Sequence, residues 1–349
     1  MTNETLKPKR FSGRRMRTIL LGAAFFFLLC FLMTAIWGHH TLQPVNKKGE
    51  NRNFWVAEGT TLKQVAVDLK NADIIRSSTL FRLAGRFMGY DHHIKTGEYR
   101  LNDAMPPLKI LETLKEGRII THAITIPEGF NLDQIAHLLE QKGLSNKASF
   151  LEHAKDRSLI AHLGLSGDTL EGYLYPDTYR FRRNVTADRV IDVMVKRFRD
   201  ILAPLEARIK DSGLTLEQVI TLASIVEKET GCPEERPIIA RVFLNRMEKN
   251  MRLESDPTVI YGICNFDGNL TKKDLKTKTP YNTYIIGGLP PGPIANPGLA
   301  AISAVLNPTE GNYYYFVSKN NGTHYFSKTL KEHNRAVRRF QKNRPKKQG

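Results

Sequence analysis

The chain has 349 residues, 41% of them hydrophobic, and carries 52 Lys and Arg against 35 Asp and Glu, for a net charge of +17. Such an excess invites a nucleic-acid reading, but its placement excludes one: six basic residues before position 18 face only Glu4, and eight from Lys331 onward face only Glu332, so most of the net charge sits at the two ends. The ten histidines and three cysteines show no H-E-x-x-H or Cys/His ligand spacing, so no metal site is expected.

After the basic segment 1–17, residues 19–37 contain no charge. At about 1.5 Å per residue this run nearly matches a hydrocarbon core of about 30 Å. It predicts one transmembrane helix over 18–38, longer than the roughly 7 to 15 apolar residues of a cleaved signal peptide. The basic flank places the tail 1–17 in the cytoplasm and everything from His39 outside, on an inner (plasma) membrane protein of single-pass topology. Cys232 and Cys264 then belong to the exported part, where an oxidising compartment would allow them to pair, although their spacing fixes no separation.

Beyond a linker at 39–53, an internal similarity divides the exported chain. Residues 54–62, followed by Val65, Ala66 and Leu69, recur seventy positions later as residues 124–132, followed by Ile135, Ala136 and Leu139. Each copy reads as strand, Gly turn and helix, and each continues into a second short helix, at 78–87 and 147–154. The first copy closes with a strand at 96–101, giving β-α-α-β within a module at 54–120. The second opens a larger domain, 121–340, as a partial repeat over 121–160. The β-α-α-β order resembles the LysM module of cell-wall proteins, which holds N-acetylated sugars in a shallow groove; a small α+β spacer above the membrane is the plain alternative.

The rest of the larger domain predicts helices at 187–212, 216–230 and 236–248. The segments 256–262, 280–284 and 287–298 are rich in Gly, Pro and polar tips, which reads as loop. A hairpin of strands 312–318 and 323–327 turns through Asn321-Gly322, and a basic tail follows at 341–349. The 216–230 helix opens with Thr215 and Gln218 as a capping box. At about 100° per residue Glu227 shares the stripe of Leu216, Ile220 and Ala223, so it should face protein, while Glu229 should face water. A buried carboxyl is hard to ionise and can donate a proton near neutral pH. The bland reading pairs Glu227 with Arg241 or Arg246 on the next helix. Asp256, Tyr281, Asn282, Thr283 and Tyr284 are candidate sugar-binding residues, set against a turn-starting Asp and a strand edge. Tyr173, Tyr175 and Asp177 form a further polar corner.

The ordered segments at 170–179 (LEGYLYPDTY), 222–230 (LASIVEKET), 240–247 (ARVFLNRM), 251–262 (MRLESDPTVIYG), 281–284 (YNTY) and 288–298 (GLPPGPIANPG) resemble the MltG (YceG-like) endolytic murein transglycosylases. The resemblance spans about 54–340. It implies an α+β fold with one N-terminal anchor, a LysM-like βααβ module and a mixed α+β catalytic domain, and it implies that Glu227 is the catalytic residue. The implied reaction cleaves the MurNAc-GlcNAc β-1,4 bond within nascent glycan strands and leaves a 1,6-anhydroMurNAc end. One carboxyl suffices, because the attacking hydroxyl belongs to the reacting sugar. Peptidoglycan strands are the implied partner, with penicillin-binding proteins and other glycan polymerases beside them. A non-catalytic wall-binding scaffold is the alternative. The aminodeoxychorismate lyase label also given to such proteins would require pyridoxal phosphate, yet no phosphate cup beside a Schiff-base lysine is recognisable, so no cofactor is expected.

Overall fold

Alternation of apolar and polar residues sets the short strands, and side-chain caps set the helices that follow them. The computed structural model describes residues 13–91 and 93–342; most of the expected cytoplasmic tail, His92 and most of the expected basic tail lie outside the described residues. The chain is α+β and divides into two compact units, Met1–Thr121 and His122–Gly349.

The first unit opens with α1 (Gly13–Thr41), whose segment Leu20–Thr41 is long and apolar enough to cross a membrane and has none of its surface buried by protein. Then come β1 (Asn51–Val56), α2 (Leu62–Asn71), α3 (Ser78–Phe87), β2 (Gly97–Asn102) and α4 (Pro107–Glu116). Strands β1 and β2 pair antiparallel with Phe54 opposite Tyr99. The Thr61 and Ser77 side chains cap α2 and α3 by accepting from the N–H groups of Gln64 and Leu80. Phe54, Val65, Leu69, Phe81, Leu101 and Leu114 fill the core.

The second unit starts with β3 (His122–Thr125), α5 (Leu132–Gln141), α6 (Lys147–His153), α7 (Arg157–His162) and β4 (Thr178–Phe181). Here the structure extends the expected partial repeat. Strand β4 pairs antiparallel with β3, placing Tyr179 opposite Ile124, so the second copy also closes as β-α-α-β with α7 inserted. The two copies agree in detail: Leu132, Ile135, Ala136 and Leu139 are buried as Leu62, Val65, Ala66 and Leu69 are. Gly59 and Gly129 turn at φ 74° and 75°, and the Tyr99 and Tyr179 hydroxyls each donate to the carbonyl four residues earlier. The closing strand was not legible because no local pattern ties a strand to a partner over fifty residues away.

Next come α8 (Ala187–Leu202), α9 (Glu206–Asp211), α10 (Leu216–Glu229), α11 (Arg236–Glu248), α12 (Asp256–Gly262), α13 (Leu299–Leu306), β5 (Tyr315–Ser318), β6 (His324–Ser327) and α14 (Leu330–Val337). The single helix expected over 187–212 is broken by a 3-10 turn at Ala203–Leu205, because Pro204 has no N–H to continue the ladder. Conversely the loop expected at 256–262 is helix α12: Pro257 lies in the first turn, where a missing N–H costs nothing. The Thr215–Gln218 capping box is present at the start of α10. Helices α10, α11 and α13 pack on one another around Val219, Ile225, Ala240, Phe243, Ala301 and Ile302. The β5–β6 hairpin is fastened to α11, whose Asn245 Nδ2 donates to the carbonyls of Gly311 and Tyr313, both at 2.9 Å.

The tyrosine shared by the two copies should be a stability element. Tyr179→Phe deletes a buried donor and is expected to cost about 1 kcal/mol, lowering the melting temperature by roughly 2–4 °C for a unit of this size in a circular-dichroism melt.

Candidate functional site

Helix α10 is buried without a break from Val219 to Val226, so its charged residues are confined to its ends. At the C-terminal end stands Glu227, whose side chain is only 6% exposed. Arg236, the first residue of α11, donates from Nη2 to Glu227 Oε1 at 2.7 Å, and the Gly298 N–H, at the start of α13, donates to Oε2 at 3.0 Å. Burial pushes the Glu227 pKa up and prevails over the Gly298 and Arg236 contacts, which favour the anion. The nearby Glu128 charge adds to the rise and Lys228 opposes it.

Two loops close around this carboxyl. The first, between β3 and α5, carries Glu128 and Gly129. The second runs through 287–298 into α13. They are stitched by backbone bonds from Gly129 N–H to Asn296 O and from Asn296 N–H to Phe130 O, each 2.9 Å. Ser224 Oγ accepts from the Ile294 N–H at 3.0 Å and pins the second loop onto α10. Gly129 has a positive φ, which favours glycine, and a Cβ there would sit in ordinary contact, 3.4 Å from Glu227 Cγ. At Gly298 a Cβ would fall 1.9 Å from Glu128 Oε1, so the Glu128 carboxylate rests directly on that glycine. Glu128 Oε2 is 3.8 Å from the same Arg236 nitrogen that binds Glu227, and its side chain is 46% exposed. Two carboxylates, one covered and one open, therefore share one guanidinium, whose Nε–H is buried with no partner among the described residues.

A comparison with family-wide sequence patterns matches residues 54–339 to the YceG-like family. The chain belongs to that family. It is 33% identical over 322 residues to the endolytic murein transglycosylase of Bacillus subtilis, spanning 87% of this chain and 89% of that protein. Against the endolytic murein transglycosylase of Streptococcus pneumoniae it is 30% identical over 314 residues, 81% of this chain but 57% of the longer relative. A crystal structure of a YceG-like protein from Listeria monocytogenes is 34% identical, with a TM-score of 0.58 over 82% of this chain and 99% of that one.

For this YceG-like chain the tertiary structure rearranges the expected site. The arginine of Glu227 is Arg236, not Arg241 or Arg246: Arg241 donates to the Thr309 carbonyl, and Arg246 is taken up by the carbonyls of Arg252, Leu253 and Tyr314 and by Glu254. Glu229 does not face water as its helix phase suggested. It is half-buried and accepts from Ser255 Oγ, and burial, with the charge of Asp256 nearby, lifts its pKa to about 7. The exposed residue of that turn is Lys228, whose Nζ reaches the Gly129 carbonyl at 3.2 Å. Helix phase misplaced Glu229 because the segment 253–256 packs against a side of α10 that a surface helix would leave open.

The other candidates fall into three positions. Tyr284 is half-buried and donates from its hydroxyl to Asp256 Oδ1 at 2.6 Å, and no bond or ion pair joins Asp256 to Glu227 among the described residues. Asn282 and Thr283 are fully buried. Asn282 Nδ2 donates to the carbonyls of Leu275 and Thr277, and Thr283 Oγ1 accepts from the Ser255 N–H at 2.9 Å, so both organise their own loop. The Tyr281 ring packs against that of Tyr261, tilted by 60° with the centroids 4.8 Å apart. In the polar corner, Tyr173 packs edge-on against Phe198, and Asp177 accepts from Arg197 Nε at 2.7 Å. Cys232 and Cys264 are free thiols, so the disulfide considered from compartment alone is absent.

Three positions that the structure brings to the candidate site escaped the sequence reading: Glu128, Arg236 and Glu171. Glu171 is 2% exposed and accepts from the Leu132 N–H, the Tyr261 hydroxyl and Asn296 Nδ2. Burial raises its pKa to about 7. Asn296 also donates to the Phe130 carbonyl and accepts from the Leu174 N–H, so Glu171 and Asn296 together hold both site loops. The turn Gly at 172 and the Pro-Glu-Gly at 127–129 were the available signals. Replacing Glu171 with Ala strands three buried donors and should cost about 2–4 kcal/mol, read as a lowered urea midpoint with an unchanged slope.

Proposed function

We propose that this chain is a membrane-anchored endolytic lytic transglycosylase that cleaves the MurNAc-GlcNAc β-1,4 bond of nascent peptidoglycan strands and thereby terminates their elongation. The observation that carries the reading is the covered carboxyl of Glu227, raised in pKa at the end of a buried helix, in a chain whose relatives are named endolytic murein transglycosylases. Protonated Glu227 gives its proton to the bridging oxygen as the C1–O4 bond of the muramic sugar breaks. The resulting carboxylate takes the proton of the C6 hydroxyl, whose oxygen closes on C1 to form the 1,6-anhydro ring. Glu227 is thus returned to its acid form, and no water is consumed. General acid–base help of this kind is worth about 10² to 10⁴ in rate.

The resting contact with Arg236 is a difficulty for an acid, and Glu128 answers it. When Glu227 takes up a proton its hold on the guanidinium weakens, and the second carboxylate, 3.8 Å from the same Nη2, becomes the better partner. The exchange also clears the more exposed Glu128 from above the Gly298 backbone. Tyr281 and Tyr284 on the neighbouring loop and Asp256 at the start of α12 are the side chains that we read as meeting the glycan, while Asn282 and Thr283 hold that loop in shape. Helix α1 is read as the anchor, with the N-terminus cytoplasmic and both units outside, where glycan polymerases of the penicillin-binding type would be the natural partners. The first unit, by its β-α-α-β order, is read as a LysM-like holder of glycan.

The decisive assay incubates the full-length protein with uncrosslinked glycan and reads the product ends by mass spectrometry. Anhydromuramyl ends from within the strand are expected, and Glu227→Gln should remove at least about 10²-fold of the rate; reducing ends would mean hydrolysis and reject the mechanism. The pH profile provides a second check. The first step needs protonated Glu227, so the rate falls as pH rises through its pKa. Glu128→Gln removes the like charge that raises this pKa, so the falling limb should move to lower pH.

A further inference from the structure

Helix α3 is apolar on two opposite sides. Phe81 and Gly85 point into the core of the first unit. At about 100° per residue, Leu83 and Phe87 lie roughly 200° and 240° from Phe81, facing away from that core. They are 61% and 94% exposed, and Met88 at the helix end is 41% exposed. Arg82 and Arg86 flank this outer ridge and are exposed as well; the Arg86 side chain has only a loose 3.9 Å contact with Asp91. Among the described residues nothing in the first unit covers the ridge, although a Phe almost wholly in water forfeits the stabilisation that burial of an aromatic side chain supplies.

The connection to α1 says what covers it. Helix α1 ends at Thr41, and the chain is then bound to the module almost at once. The Arg76 guanidinium, two residues before α3 begins, donates to the carbonyls of Pro44 and Val45 at 2.9 and 3.1 Å. Asp103 fastens the same linker: its carbonyl accepts from the Val45 and Asn46 N–H groups, and its carboxylate accepts from Glu50. Three residues of chain span at most about 11 Å. The start of α3 is therefore clamped to the chain within a few residues of the outer end of the segment Leu20–Thr41, near the level where that segment would leave the bilayer.

Resting on the reading of α1 as a membrane anchor, we propose that α3 is an interfacial helix whose Leu83 and Phe87 enter the outer leaflet. Arg82 and Arg86 extend to anionic phospholipid headgroups. This is the pattern of a monotopic helix, apolar tip down and basic flank at headgroup level. The β-α-α-β module is then held against the bilayer, not merely tethered above it.

The test uses the full chain in nanodiscs of phosphatidylethanolamine and phosphatidylglycerol, with a single thiol carrying an environment-sensitive fluorophore. One sample replaces all three cysteines by Ser and adds Phe87→Cys. A second keeps only Cys30, inside α1, and a third adds Asp168→Cys on an exposed site of the second unit. Spin-labelled lipid should quench the probe at 87 at least twofold more than the probe at 168, and replacing phosphatidylglycerol with phosphatidylcholine, or Arg82 and Arg86 with Gln, should lower that quenching at least twofold. If Cys30 is quenched while 87 behaves as 168 does, α3 stands off the bilayer and the inference fails with the anchor intact. If the probe at 87 is hidden from iodide in water but untouched by spin-labelled lipid, protein covers the ridge and the inference fails as well. An unquenched Cys30 would instead remove the anchor itself.

Discussion

The second unit depends on keeping one carboxyl out of water. Glu227 ends a helix that is buried on every side for two turns, and a charge in that position is costly unless it is paired and hydrogen-bonded. The Arg236 guanidinium and the Gly298 N–H supply the pairing. Both come from elements that must start beside the end of α10. This requirement explains why α11 begins at an arginine and why the Gly298 N–H stands just ahead of α13, while Gly129 answers to the positive φ of its own turn. A group balanced in this way, with burial opposing two anion-stabilising contacts, has its protonation decided by small changes nearby. Glu128 is such a change, because it competes for the same arginine.

The loops around Glu227 have few internal constraints of their own and are held by a buried polar hub. Glu171 and Asn296 satisfy backbone groups from two separate segments, at 130–132 and at Leu174, and the two side chains bond each other. A hub of this kind is demanding, since each unmet partner would carry a desolvation penalty. It fixes the loop positions in return. The same arrangement keeps Gly129 and Gly298 on either side of the catalytic candidate.

One supersecondary pattern serves two ends. In the first copy the β-α-α-β element follows the apolar helix α1 and turns an apolar ridge outward. In the second, the equivalent Gly turn carries Glu128 to Arg236 and Glu227. The residues that build the two cores correspond position by position, while the turn tips have diverged in what they touch. Cores are set by packing and tips by their neighbours, so the same scaffold can hold different chemistry.

Much of this was legible in the order of residues. Local rules identified the apolar N-terminal run, the capping box at Thr215 and Gln218, the Asn-Gly hairpin and the protein-facing side of Glu227, because each depends on neighbours within a few positions, and comparison of the sequence with itself identified the repeat and its buried positions. The structure alone decided which arginine reaches Glu227, that Glu229 bonds Ser255 and avoids solvent, that β4 completes the second repeat, and that Glu128 and Glu171 belong to the site. All of these are contacts between segments far apart along the chain. Helix phase says which side of α10 a residue occupies, but what fills that side, and hence whether a carboxyl meets water, a hydroxyl or a guanidinium, is settled only when distant loops pack against it.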